Sequence, residues 1–462
     1  MPDPNNVAVI GGGISGLACA YRLQQLGVPF ILLEAEEQAG GLIGTIEKDG
    51  FLFESGPQSF QGTEVLLDLI RELGIAGELC TADPKAPRFV LRHGKLQKVP
   101  MSPQALLTSS LLAPVSRWRV VTEPLRRTKP PNEEESVANF VRRKFGHEIL
   151  EYLVAPFVSG VYAGDPEKLS LRAAFPSLEE WEREYGSVLR GAMKSRPSQG
   201  KGTPPSLCSF RGGVATLSGA LAAKLSSDLR AGARVDAIRL TSRSSEESSY
   251  EIQFERNGQK ESLTAKCVVM ATPAYKAAHL LDSFSPWLAH TLSGIAYAGV
   301  AVVAAGYDSH QIGPDLDGFG FLVPRSEKRR TLGTVWNSSL FPGRAPAGGC
   351  TMTSFVGGAT EPDVLDKTDE EIASLVQDEN SKILGITGPP VASAVWKHPK
   401  ALPQYNLGHG HIVEAIRDGE KENPGVFFSG NYLEGPSLGK CVEHGFKTAE
   451  AVEEFLKHGQ KS

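Results

Sequence analysis

The chain has 462 residues, more than one ordinary core holds, so two or three domains are expected. A composition of 41% hydrophobic and 22% charged residues is that of an ordinary globular protein, and a net charge of −5 gives no general pull toward nucleic acid. The six cysteines are scattered with no C-x-x-C and the ten histidines show no ligand spacing, which argues against a disulfide framework or a metal site and suits a reducing compartment.

The first six residues are polar and carry no signal-peptide pattern, which points to a cytoplasmic chain. Val7–Ile10 reads as a strand, and Gly11, Gly13 and Gly16 fill G-x-G-x-x-G directly after it. The three glycines serve a tight turn, close approach to a pyrophosphate, and close helix–strand packing. A helix over Leu17–Leu26 offers its amides and positive end to the phosphates. The apolar run Val28–Leu33 is the second strand, and Glu34 at its end, followed by Ala35, is placed to bind ribose hydroxyls. Strand, glycine turn, helix, strand and acid in this order predict dinucleotide binding.

Gly40-Gly41 follows, then a strand over Phe51–Ser55 leading to Gly56-Pro57. Residues 64–80 read as an amphipathic helix ending near Gly77, and 88–99 as a hairpin turning at His93-Gly94. From Met101 to about Arg190 the pattern is helical. Its run Ala105–Ala113 is apolar and precedes Arg117, Arg119, Arg126, Arg127 and Lys129, which suits a helix lying on a membrane surface. A helix packed on the neighbouring domain fits the same pattern. Val137–Phe145 is a further helix, and 194–206 a polar Pro/Gly-rich loop.

Phe210–Val214 opens a helix to Leu225, strands follow at 234–240 and 250–256, and Cys267–Ala271 is a buried strand ending in Thr-Pro. Residues 283–307 hold no Asp, Glu, Lys or Arg, but the interspersed His290, Ser293, Gly294 and Gly299 favour a helix end and a buried strand over a membrane span. Strands and turns alternate over 300–357, and 369–384 is helical. Val426–Phe428 is a strand that leads through Gly430-Asn431 and Gly435–Gly439 into a helix over about 440–457.

The N-terminal glycine motif with Glu34, the Gly40-Gly41 pair, the strand ending at Ala271 and the C-terminal strand–glycine loop–helix together resemble the FAD-dependent amine oxidase superfamily. Four further segments, Ser159–Ser170, Gly318–Pro324, Pro403–His409 and Gly439–Glu443, resemble its oxygen-dependent protoporphyrinogen oxidases of bacterial type. The resemblance runs from Val7 to Phe455.

It implies an α/β chain with three parts. These are a doubly wound FAD-binding domain (1–84, 205–290 and 420–462), a mixed α+β substrate domain (85–100 and 291–419) and a helical, membrane-associating domain (101–204). It implies FAD, held non-covalently because 397–430 contains no Cys, and O2 as oxidant with hydrogen peroxide as product. Gly11, Gly13, Ile14, Ser15 and Gly16 would hold the pyrophosphate, and Glu34 and Ala35 the ribose. Gly40, Gly41 and Leu42 would run along the pyrophosphate and flavin, Leu42 standing where many amine oxidases have Arg. Gly56, Pro57, Gln58 and Ser59 would line the isoalloxazine, and Val235 would clamp adenine. Trp396, Pro436, Ser437 and Leu438 would close the flavin site. Gly430-Asn431 would replace a Gly-Asp pair, with an uncharged amide at the second position.

For the substrate, Arg88 would pair with a propionate, Gly164 would leave room for the macrocycle, and Leu322 and Trp336 would sandwich it. Arg88 paired with a surface acid, and Leu322 and Trp336 as ordinary core, are the alternatives. No catalytic acid or base is assigned. Protoporphyrinogen IX and coproporphyrinogen III both fit, and another flavin oxidase or a dinucleotide-holding protein without redox chemistry are the rivals. The implied partners are a peripheral membrane surface and a ferrochelatase or other downstream enzyme; monomer and homodimer stay open.

Overall fold

The computed structural model describes residues 7–195, 206–243 and 248–459; most of the polar stretch expected at 194–206 lies outside them. A five-stranded parallel sheet has the order Leu229–Arg230, Phe30–Leu33, Val7–Ile10, Cys267–Met270, Val426–Phe428. All pairs in it are parallel. Every residue of the first two strands and of Cys267–Met270 is buried, as a sheet covered on both faces requires. Strand order reverses between Val7–Ile10 and Cys267–Met270, the place where doubly wound sheets open a crevice at their carboxyl ends.

Helix Ile14–Gln25 covers one face, and the last helix, Leu438–Gly459, crosses it. The contact is close because Gly445 lies where a Cβ would stand 2.6 Å from the Ser15 carbonyl. Leu17, Leu23, Leu66 and Val442 are fully buried in the layer between, each worth roughly 1.5–3 kcal/mol. The expected helix over 64–80 stops at Glu72: Gly74, at φ 75°, turns the chain, and Leu79–Thr81 becomes a strand paired with Leu207–Phe210. An antiparallel sheet of strands Ala233–Arg243, Ser248–Arg256 and Gln259–Ala265 flanks the parallel sheet.

The second large element is a seven-stranded sheet, ordered 392–403, 297–308, 349–357, 331–335, 320–322, 88–92, 95–98. The charge-free stretch 283–307 is helix Pro286–Ser293 followed by buried strand Tyr297–Asp308, as expected.

Residues 101–195 are helical, but the apolar run at 105–113 is not one helix. It breaks at Ser109 into Pro103–Thr108 and Pro114–Val121. Leu111 and Leu112 turn into the core, while Met101, Leu107, Val115, Trp118, Val121 and Leu125 stay exposed. Among the described residues no helix is long and apolar enough to cross a membrane. This region is held by a buried charge network. Lys144 Nζ stands 3.1 Å from Glu123 and 3.2 Å from Glu182, and Arg143 forks onto Glu182 at 2.7 and 2.8 Å. Glu123 also caps the following helix through Ser187, Val188 and Leu189. Burial pushes the Glu182 carboxyl up, but hydrogen bonds from Arg143 and Thr128 and the charges of Lys144 and Arg143 outweigh it and bring it to about 2.

Candidate functional site

Four chain segments meet at the carboxyl end of the parallel sheet. Gly11 follows the first strand so closely beside the Cys267–Met270 strand that a Cβ would lie 2.8 Å from the Ala271 carbonyl. Gly16 closes the turn: a Cβ there would stand 1.9 Å from the Gly11 carbonyl. Both positions therefore require glycine. Gly13 is the cap of helix Ile14–Gln25, with no side chain serving the first-turn amides and no acid in the first turn. A Cβ on Gly13 would meet nothing within 4 Å. A helix start with free amides, an open approach and the buried, unpartnered Thr272 Oγ1 beside Gly11 fits a bound pyrophosphate.

Glu34 is buried at the end of the second strand. One carboxylate oxygen accepts from the Gly12 amide at 2.5 Å and the other from the Glu36 amide at 2.8 Å. Each oxygen keeps a further lone pair for a hydroxyl. The Glu34 carbonyl accepts from Ala233, two residues before Val235, which sits at a register shift of its strand. The Gly40 amide donates to the Gly12 carbonyl at 2.9 Å, so Gly40-Gly41 lies directly against the first glycine turn.

From there the cradle runs on without a gap. A Cβ on Gly56 would stand 2.0 Å from the Leu42 carbonyl, which brings the Gly40–Leu42 and Gly56–Ser59 segments together. Gln58 is buried and fixes its own loop by donating to Gly56 O at 2.8 Å, and it accepts from Asn337 at 2.7 Å. His398 bonds the Ser55 carbonyl at 2.8 Å. Below, Glu54 and Arg344 are both buried at a 3.4 Å separation, and Glu54 also takes the Val214 amide at 2.9 Å. Burial pushes the Glu54 carboxyl up against the hydrogen bond from Thr45 and the Arg344 charge. Gly430 and Asn431 follow the Val426–Phe428 strand, and the Tyr405 hydroxyl donates to the Asn431 carbonyl. Pro436 and Ser437 precede the last helix, and Ser437 O accepts from Cys441 in its first turn at 3.0 Å.

The loop 54–59 thus ends on one face of the seven-stranded sheet. Pairing register places Val90, Leu322, Gly333, Phe355, Val302 and Trp396 in one row across that face. The next row is Arg88, Gly320, Val335, Thr353, Ala304 and Ala394. The hairpin of Phe51 and Phe53 packs over Ala304. Helix Ala155–Tyr162 packs over Leu322 through Gly160, whose Cβ would lie 2.8 Å from Leu322 Cδ2. Half-buried Leu322, Val335, Phe355 and Trp396 and the exposed Arg88 are what the face leaves open.

A model of flavin containing amine oxidoreductases matches residues 14–453. Protoporphyrinogen oxidase 1 of Spinacia oleracea chloroplasts is 37% identical, covering 97% of this chain and 84% of the spinach protein. The chain belongs to the flavin containing amine oxidoreductase family. The coproporphyrinogen III oxidase of Bacillus subtilis is 28% identical over 95% of this chain and 96% of its own length. The solved cyclohexylamine oxidase of Brevibacterium oxydans shares the fold, with a TM-score of 0.71 at 19% identity, covering 98% of this chain and all of that one. A solved chain from Exiguobacterium sp. 255-15 reaches a TM-score of 0.82 at 24% identity, covering 97% of this chain and 98% of that one.

On the substrate side this amine oxidoreductase departs from the sequence reading in two places. Leu322 and Trp336 do not form a sandwich. Side chains alternate along a strand, and Trp336 packs with Phe89 at 5.4 Å and Phe321 at 6.4 Å on the face opposite Leu322. Trp336 is core, 2% exposed. Gly164 is buried, and the room it gives is taken by Gln404, whose Oε1 lies 2.8 Å from where a Cβ would be. Gln404 also donates to the Tyr162 carbonyl at 2.8 Å, tying the helical region to the sheet. Arg88 has no carboxylate partner among the described residues. It contacts Met101 Sδ at 3.9 Å and lies over the Phe319 ring at 5.4 Å. Phe355 and Asn337 escaped the sequence reading. Alternation along Gly349–Gly357 was the available signal for Phe355; Asn337 had none.

Proposed function

We propose that this flavoenzyme oxidises protoporphyrinogen IX to protoporphyrin IX, with O2 as the final acceptor and hydrogen peroxide as by-product. The observation that carries the reading is the open sheet face. Arg88, with no carboxylate partner among the described residues, stands at the edge of a sheet face on which Leu322, Val335 and Phe355 are half-buried. That matches an apolar macrocycle with carboxylates along one edge, puckered at its four sp3 bridges before oxidation and flat after it. Identity of 37% to a protoporphyrinogen oxidase, against 28% to a coproporphyrinogen III oxidase, supports the two-propionate substrate over the four-propionate one.

FAD held in this cradle would supply the redox chemistry, a six-electron oxidation of the macrocycle balanced by three O2 reduced to three H2O2. The chain supplies position. Gly11, Gly13, Ile14, Ser15 and Gly16 hold the pyrophosphate at the helix start, Glu34 and Ala35 the ribose, and Val235 the adenine. Gly40, Gly41, Leu42, Gly430 and Asn431 guide the ribityl chain. Gly56–Ser59, Trp396 and Pro436–Leu438 enclose the ring system, and the Gln58–Asn337 bond fixes that loop to the sheet. Arg88 forks onto a propionate, and Leu322 and Phe355 set the macrocycle's plane. Such an oxidation would call on the chain for orientation rather than for a general base. Helices 103–121 and the turn to residue 129 lie on a membrane surface, from which a poorly soluble product passes to a downstream metal-inserting enzyme.

The test is a substrate comparison. Protoporphyrinogen IX and coproporphyrinogen III are prepared anaerobically and offered separately, air is admitted, and porphyrin fluorescence is followed. Faster oxidation of protoporphyrinogen is expected; preference for coproporphyrinogen would reassign the substrate, and rates equal to the enzyme-free control would refute the activity.

A further inference from the structure

A cavity of about 800 Å3 lies at the end of the sheet face described above, beyond the Val90–Leu322 row. It is bounded by helix Pro114–Val121, by the end of strand Arg88–Arg92, by the loop at Arg325-Ser326, and by the helix that starts at His147. Its lining includes Arg92, Arg119, Arg325, His147 and Tyr152 together with the carboxylates Glu148 and Glu151. The helix from His147 to Tyr162 changes to π-helical geometry over Leu150–Val154, which carries the lining residues Glu151 and Tyr152. Single π turns inside α-helices are rare and gather at functional sites.

Charge is distributed unevenly around this cavity. Arg92 is paired with Glu148 at 3.0 Å and stacked on Tyr152 at 4.4 Å, and Arg325 faces Asp165 at 3.4 Å. Glu151 accepts from the Ser326 amide. Among the described residues Arg119 has no carboxylate partner: it donates to the carbonyls of Arg142 and Arg143, and its Nε is buried without a partner. Arg117, Arg126, Arg127 and Lys129 likewise have no carboxylate partner among the described residues. The nearest acid in sequence, Glu123, is buried and spent on Lys144. Five unpaired cations thus gather on 16 consecutive positions, 114–129, of a chain whose net charge is −5. The same segment exposes Val115, which lines the cavity, at 79%, and Trp118, one turn further along the helix, at 65%.

We propose that this cavity seats the phosphate of an anionic phospholipid, with Arg119 as its principal contact and the Val115–Trp118 stripe in the adjoining acyl boundary. The inference rests on the reading that this segment lies on a membrane and adds a lipid choice to it. A cationic seat behind an apolar rim is complementary to a negatively charged headgroup carried on hydrocarbon, whereas a free anion has no use for the rim.

The test uses the FAD-loaded full chain with vesicles of phosphatidylcholine, alone or containing phosphatidylglycerol, in a flotation assay. Wild-type protein is expected to prefer the anionic vesicles. R119Q should lower that partition about five-fold, the effect of one cation near an anionic leaflet. Because Arg119 also bonds two carbonyls, H147E is the second variant. It places a negative charge at the exposed cavity mouth without removing a hydrogen bond, and should abolish the preference while turnover in solution is kept. Inorganic phosphate should displace the protein from anionic vesicles more than chloride of equal ionic strength. Equal partition onto both vesicle types would refute the headgroup seat and leave membrane attachment standing; no partition onto either would refute both. A preference undiminished in both variants, or displacement by phosphate and chloride alike, would reduce the attraction to diffuse charge and overturn the seat.

Discussion

Arg88 gives the sharpest prediction, because its present contacts and its proposed role differ in size. Without a carboxylate, its guanidinium has a long contact to Met101 sulfur and a cation–π contact to Phe319. At an exposed site the latter is worth about 0.5–1 kcal/mol. Arg88→Ala should therefore leave the fold intact, moving Tm by about 2 °C or less. A forked bond to a propionate is larger, about 2–3 kcal/mol for a charged pair. Its loss predicts a fall in kcat/KM for protoporphyrinogen IX of about 30- to 150-fold. Arg88→Lys should recover only part of it, since an ammonium keeps the charge and loses the fork. The assay is porphyrin fluorescence at subsaturating substrate, with flavin content measured on the same samples. A kcat/KM for R88A within about two-fold of the parent, at equal flavin content, would refute the propionate role.

Gly56→Ala should lose flavin at purification, because its Cβ would have to displace the Leu42 carbonyl from 2.0 Å; the 450 nm flavin band reads this directly. Trp336→Phe should leave KM unchanged and cost only core stability, since its indole nitrogen has no hydrogen-bond partner to lose, whereas Leu322→Ala should raise KM; the two effects reversed would restore Trp336 to the substrate site. Glu182 sits near 2 in the folded chain, below its ordinary value of 4.5, so it stabilises the fold above about pH 4.5, and that contribution fades as pH falls toward 2. Thermal melts of wild type and Glu182→Gln should therefore converge as pH is lowered through that window, and a gap independent of pH would show the pairing to be wrong.

The cofactor half of the site was legible because it is local. Gly11, Gly13, Gly16 and Glu34 lie within one β-α-β unit, and their spacing alone brings them together at one turn. The substrate half was not. Whether Trp336 joins Leu322 or opposes it depends on which residue of strand 331–335 pairs with which of 320–322, and side-chain period is blind to register across a loop. Strand Ala392–Pro403, which brings Trp396 to the same row, carries Pro399 and Pro403 and reads as a breaker-rich loop. The helix end at Glu72 was missed because Gly77 offered an equally good stop; only backbone geometry selects Gly74. Glu54 and Arg344 meet through the tertiary fold alone.

The parallel sheet takes its strands from residues 7–33, 229–270 and 426–428, and the helix that crosses Ile14–Gln25 is the last one, Leu438–Gly459. On a ribosome the glycine turn is made well before the strand and helix that complete its site. At about 5–20 residues per second, the stretch from Gly16 to Val426 takes on the order of 20 to 80 s. Until the final strand and helix arrive, one wall of the flavin cradle does not exist. A chain cut before residue 426 should therefore fail to retain flavin even in excess FAD, which the 450 nm band would read.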